Sequence, residues 1–168
     1  MPFTAIVIAN EFLRVAGRER SPLTPMKLQK LVYFAHGWCL ALTGQPLITE
    51  RIEAWQYGPV IPSLYGEFKL YGNGPITEPA YTVSFNGGKV QFYQQTLDDF
   101  PNTPEKEFAR QIIGRVWEVY GGFTSAKLSN ATHLPGTPWS QVYEDGKRSI
   151  SIPDEKIKAF FEAEAHAK

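Results

Sequence analysis

The stretch from Thr24 to Gly44 constrains the fold more tightly than any other part of the chain. Thr24 is a residue type whose side-chain oxygen caps helices, and Pro25 has the fixed φ and missing N–H that suit a first helical position. Leu28, Leu31, Ala35, Trp38 and Leu42 then recur at helical spacing until Gly44, the residue type that ends helices in a left-handed conformation. The pattern predicts one long helix over 25–43 with an apolar stripe. Lys27 and Lys30 lie on another face. They read as solvated, with a partner or phosphate contact as the alternative.

The rest of the chain follows the same logic. Thr4 is placed to cap a helix over 5–16 that Gly17 ends. Residues 51–58 read as extended or looped, ending at Gly58-Pro59. Ile61, Leu64, Tyr65, Phe68 and Tyr71 turn helical again. Tyr81, Val83 and Phe85, then Val90 and Phe92, alternate with polar residues around Asn86-Gly87-Gly88, a hairpin signal because the tight turn needs positive φ. Thr103-Pro104 repeats the cap-and-proline start for a helix to Tyr120 with Phe108, Ile112, Val116 and Val119 inward. Short helices over 125–132 and from Pro138 to Tyr143, a short strand within 149–152 and an amphipathic helix from Pro153 complete the chain, its tail fraying from Glu162. The expectation is a mostly α, α+β fold: one compact domain over 1–168, with about six helices and a small β hairpin or sheet.

Composition narrows the function. A hydrophobic fraction of 43% is ample for a core without metal or disulfide staples. Seventeen basic residues balance seventeen acidic ones, which argues against a nucleic-acid footprint. Cys39 is the single cysteine and lies in the apolar run 38–42, so a buried structural thiol is expected. Met1-Pro2-Phe3-Thr4 lacks the marks of a secretory signal, and no apolar run approaches the ~18 residues that span a bilayer. A cytoplasmic protein is expected.

Catalytic signatures are sparse. The histidines are His36, His133 and His166, with no HExxH and no Cys/His cluster at metal spacing. GxSxG, GxGxxG and GxxxxGK[ST] are absent. No catalytic residue, metal site or cofactor is expected. His36, mid-helix, reads as a hydrogen-bonded structural histidine. His133 offers two readings: a base paired with Ser129 or Thr132 on the same helix face, making a small hydrolase or transferase, or a structural imidazole beneath Trp139. Trp55, Tyr57, Tyr65 and Tyr71 crowd the turn at 58–59, as core or as protein-interface anchors.

The run Met26-Lys27-Leu28-Gln29-Lys30-Leu31-Val32-Tyr33-Phe34-Ala35-His36-Gly37, followed by Glu53-Ala54-Trp55-Gln56-Tyr57-Gly58-Pro59-Val60-Ile61-Pro62-Ser63-Leu64-Tyr65, resembles the Panacea domain, the SocA-like antitoxin family that includes phage-associated GepA-like proteins. Leu128-Ser129, Thr132-His133 and Pro138-Trp139 are similar to that family's C-terminal motif. The resemblance implies a non-enzymatic antitoxin of a type II toxin–antitoxin system, neutralising a co-encoded protein toxin by direct binding. A proteolytic adaptor that delivers its toxin to ClpXP is the variant of that role. A homo-oligomer is compatible with it, and no direct nucleic-acid or membrane contact is expected. Gly58, Pro59, Thr132, His133, Pro138 and Trp139 are then structural motif residues. Candidate partner contacts are Lys27, Lys30, Tyr33, Trp55, Tyr57 and Tyr65, with Thr82 and Gln91 on the hairpin, whose edge can pair with a partner strand.

Overall fold

A computed structural model describes residues 2–167. Helix α1 spans Ala5–Arg18. Thr4 stands at its N-cap, yet its side chain makes no capping bond. The carboxylate of Glu50 accepts from the Ala5 amide instead, at 2.8 Å, putting a negative charge on the positive end of the helix. The helix runs through Gly17, and the chain reverses only at Arg20, whose φ is +53°.

Helix α2 spans Pro25–Thr43 with the expected punctuation: Thr24 Oγ1 accepts from the Lys27 amide at 3.3 Å, and Gly44 adopts φ +73°. Its surroundings differ from an amphipathic surface helix. It is buried on nearly every side from Lys27 to Leu40, while Leu42 of the expected stripe is exposed. A helix enclosed all round is a core helix. Its packing is closest at Gly37, where a Cβ would fall 2.2 Å from a ring carbon of Phe161.

A three-stranded antiparallel sheet takes two of its strands from the segment expected to be extended or looped and the third from the short strand expected within 149–152. Strands β1 (Ile52–Trp55) and β2 (Gly58–Val60) make a tight hairpin with Trp55 opposite Gly58. Helix α3 (Pro62–Phe68) and a 3₁₀ turn to Tyr71 follow. Strands β3 (Thr82–Asn86) and β4 (Lys89–Tyr93) form a separate two-stranded hairpin. Gly87 and Gly88 take φ +57° and +78°, the pair of positive values its tight turn needs.

Helix α4 (Pro104–Tyr120) is capped by Thr103, and α5 (Ser125–His133) by Thr124. Helix α6 (Pro138–Val142) is capped by Thr137. Val119 points outward rather than into the core. Strand β5 (Ser151–Ile152) completes the first sheet against β1, and α7 (Asp154–His166) continues helical where fraying was expected. The seven α-helices of the described residues wrap one core that runs from Phe3 to Phe161, with α1, α4, α5 and α7 packed around α2. None of them is long and apolar enough to cross a membrane.

Candidate functional site

The turn between β1 and β2 is held from beneath by side chains of three helices. Trp139 Nε1 donates to the Trp55 carbonyl at 2.6 Å, and His133 Nε2 meets the Gln56 carbonyl at 3.1 Å. Ser129 Oγ donates to the Tyr57 carbonyl at 3.0 Å, and Lys30 Nζ to the Pro59 carbonyl at 3.2 Å. Gln29 closes the series, donating to the Ile61 carbonyl at 3.1 Å and accepting from its amide at 2.9 Å. A short irregular turn has few ladder bonds of its own, so its carbonyls need such donors. Two of these donors come from α2, two from α5 and one from α6. The three resembling segments thus converge on one backbone loop.

Gly58 shows how close the convergence is. Its φ is +112°, and a Cβ there would lie 2.7 Å from Thr132 Oγ1 and 3.1 Å from Lys30 Nζ. Only glycine fits both the backbone conformation and the space. Thr132 Oγ1 donates to the Ser129 carbonyl at 2.6 Å. Pro138 is buried as the first residue of α6. The indole of Trp139 packs between His133, 4.1 Å between ring centroids, and Tyr143 at 4.5 Å.

The solvated-face reading of the two lysines is overturned. Lys30 is 1% exposed, and no carboxylate among the described residues pairs with it. Burial alone pushes its ammonium down to about 8. Lys27 is buried too, and burial lowers its pKa as well. It donates to the Gly121 carbonyl at 2.5 Å, a cation at the C-terminal end of α4, where the helix dipole favours it. Tyr33 is in the core against Phe34 and Phe161, and burial raises its phenol. These three side chains hold the fold together and offer a partner almost no surface.

Other expected residues do reach the surface. Tyr57 is 62% exposed and Tyr65 41%. Trp55 packs edge-on against Tyr65, with ring centroids 4.9 Å apart, and donates to Glu53 at 3.0 Å. Thr82 is half-buried and Gln91 exposed.

The β3–β4 hairpin presents a second feature. Val83 faces Phe92 and Phe85 faces Val90, so all four side chains share one face. That face is open: Phe85 is 81% and Phe92 70% exposed. With Gly87-Gly88 as a two-residue turn, Asn86–Lys89 closes the ladder. Alternation then makes Ser84–Gln91 and Thr82–Tyr93 the hydrogen-bonded pairs. The amides of Thr82 and Gln91 therefore point into the hairpin, and the free edge donors belong to the apolar residues.

Asn10 of α1 fixes the foot of this hairpin. Its Nδ2 donates to the Ala80 and Gln95 carbonyls at 3.0 Å each, and its Oδ1 accepts from the Ala80 amide at 2.9 Å. Glu11 accepts from the Leu97 amide at 2.9 Å. Neither residue was singled out from the sequence. Asn10 left a signal there as a polar residue set among the apolar positions of α1.

Around His133 both hydroxyls are engaged as donors. Ser129 Oγ bonds the Tyr57 carbonyl and Thr132 Oγ1 the Ser129 carbonyl, while His133 Nδ1 lies 2.6 Å from that same Ser129 oxygen. Each ring nitrogen faces a carbonyl oxygen, so the imidazole serves to hold the turn. His36 is similarly engaged. Its Nδ1 accepts from the Leu47 and Ile48 amides at 3.3 and 3.4 Å, which leaves Nε2–H to donate to Asp154 at 2.9 Å. Cys39 is buried, and its burial raises the thiol pKa. No group of three or more His, Cys, Asp or Glu side chains among the described residues is placed to hold a metal.

Residues 28–140 match the family described as antitoxin SocA-like, Panacea domain. Antitoxin SocA of Caulobacter vibrioides (strain NA1000 / CB15N) is 31% identical over 138 residues, covering 82% of this chain and 69% of that relative. No solved structure matches the chain.

Proposed function

Because the chain belongs to the SocA-like Panacea-domain family, we propose that it is an antitoxin that acts in the cytoplasm by binding a co-encoded protein toxin directly. The observation that carries the binding reading is the open apolar face of the β3–β4 hairpin. Val83, Phe85, Val90 and Phe92 stand exposed on one side of two strands, with both outer edges unpaired among the described residues. Contiguous exposed apolar surface marks protein-interaction sites, and an isolated two-stranded hairpin gains stability from a covering partner. Asn10 and Glu11 tie the foot of the hairpin to α1, so a partner meets a positioned element.

The test is growth. The gene adjacent to this one, expressed alone, should arrest growth, and co-expression with this chain should restore it. A neighbour that is harmless alone removes the main support for the reading. Co-purification of an intact complex from the rescued cells supports masking, while loss of the neighbour's product points to delivery to a ClpXP-type protease.

A further inference from the structure

A groove of about 480 Å³ lies beside the turn held by the five donors, within the roughly 300–1,000 Å³ typical of ligand sites. Trp55 and Tyr65 wall it, and its charged lining is Lys30, Lys69, Lys147 and Arg148 with no aspartate or glutamate. In a chain whose basic and acidic residues balance, four like charges around one groove focus a positive potential there.

Three of those cations have no carboxylate partner among the described residues. Lys30 bonds only the Pro59 carbonyl, and Lys69 is exposed. Arg148 sits over the Trp55 ring at 4.4 Å and the Tyr65 ring at 5.9 Å. Stacking on aromatic faces leaves the edge of a guanidinium free to take a carboxylate. Lys147 alone is paired, to Glu144 at 2.6 Å.

We propose that this groove docks an acidic segment of a protein partner. One carboxylate meets Arg148 and Lys69 above the Lys30 floor, and a flanking apolar side chain packs on Trp55 and Tyr65. The inference rests on the partner-binding reading above. A chain segment fits better than a free small anion because Tyr57 and Tyr65 stand on the open surface, where a peptide can lie across them. Small-molecule sites enclose most of their ligand.

The test is a nuclear magnetic resonance titration of the isotopically labelled full chain with a blocked peptide of sequence Phe-Asp-Glu-Phe, read at the Trp55 indole N–H. Saturable shifts are expected. The blocked amide control Phe-Asn-Gln-Phe should bind at least about tenfold more weakly, as loss of a charge-assisted hydrogen bond implies. Arg148→Gln and Lys69→Gln should each weaken the acidic peptide by roughly the same factor. Both positions are exposed, and an unchanged Trp139 indole resonance reports that the fold is intact. Sodium phosphate at matched ionic strength should leave peptide affinity unaltered.

Equal binding of the two peptides, no saturable shift with the acidic one, or its displacement by phosphate would each overturn the proposal. The titration uses no toxin, so its failure leaves the antitoxin reading standing. A failed growth rescue, in turn, leaves the peptide result intact.

Discussion

The ammonium of Lys30 lies 3.1 Å from where a Cβ on Gly58 would stand. A residue of the central helix and a residue of a surface turn thus share one small space. The packing of α2 against the β1–β2 turn depends on that space, which makes Gly58 the first position to test. Gly58→Ala forces a side chain into φ +112° and against Thr132 Oγ1 at 2.7 Å. The strain should cost about 1–3 kcal/mol, read as a lower urea midpoint at unchanged slope. A midpoint equal to that of the wild type would mean that the turn relaxes freely.

Lys30 also gives the fold a pH signature. Its folded-state pKa of about 8 lies below the ordinary 10.5. Between those values the unfolded chain binds more protons, so this residue makes stability rise with pH. Tyr33 and Cys39, whose pKa values burial raises, act in the opposite sense above their ordinary values of 10.0 and 9.0. The comparison is therefore wild type against Lys30→Met, in which those effects cancel. Wild-type stability relative to the mutant should climb by an amount on the order of 3 kcal/mol between pH 8 and 10.5. Parallel stability–pH curves would contradict the assignment.

Trp139 separates packing from hydrogen bonding. Trp139→Ala removes both the ring between His133 and Tyr143 and the bond to the Trp55 carbonyl. Roughly 3 kcal/mol is expected, since the side chain is half-buried, with the melting temperature falling by roughly 6–12 °C. Trp139→Phe keeps an aromatic ring and should cost only about 1 kcal/mol. An alanine variant that melts like the wild type but no longer rescues growth would make Trp139 a contact residue.

How much of this was legible in the sequence depends on the range of each interaction. Helix α2 announced itself because Thr24, Pro25 and Gly44 act within a few residues of one another, and the β3–β4 turn because Gly87 and Gly88 must adopt positive φ. The short strand expected within 149–152 is β5, but β1 and β2 read only as extended or looped, since strands of three or four residues are too short to show an alternation. Capping of α1 by Glu50 spans 45 residues, and Asn10 reaches Ala80 across 70. The burial of Lys30 follows from Pro59, 29 residues downstream, so helical position alone placed it in solvent. The resemblance named Gly58, Thr132, His133 and Trp139 together, and the tertiary contacts supply the reason.

The hairpin should respond differently from the core. Phe85→Ser and Phe92→Ser alter exposed side chains, so stability should move by no more than about 0.5 kcal/mol. Partner affinity should fall by at least about 2 kcal/mol, near thirtyfold, if these residues are anchors. Thr82→Pro and Gln91→Pro should instead break the hairpin itself, because their amides point into its ladder. Folded serine variants with wild-type affinity would move the interface elsewhere.

The most direct test of the central claim is a calorimetric titration of the purified full chain with the purified product of the adjacent reading frame. The account predicts a saturable complex that the Phe85→Ser, Phe92→Ser double variant weakens while circular dichroism shows an unchanged fold. A folded wild-type chain that gives no binding heat and no complex on gel filtration would contradict it.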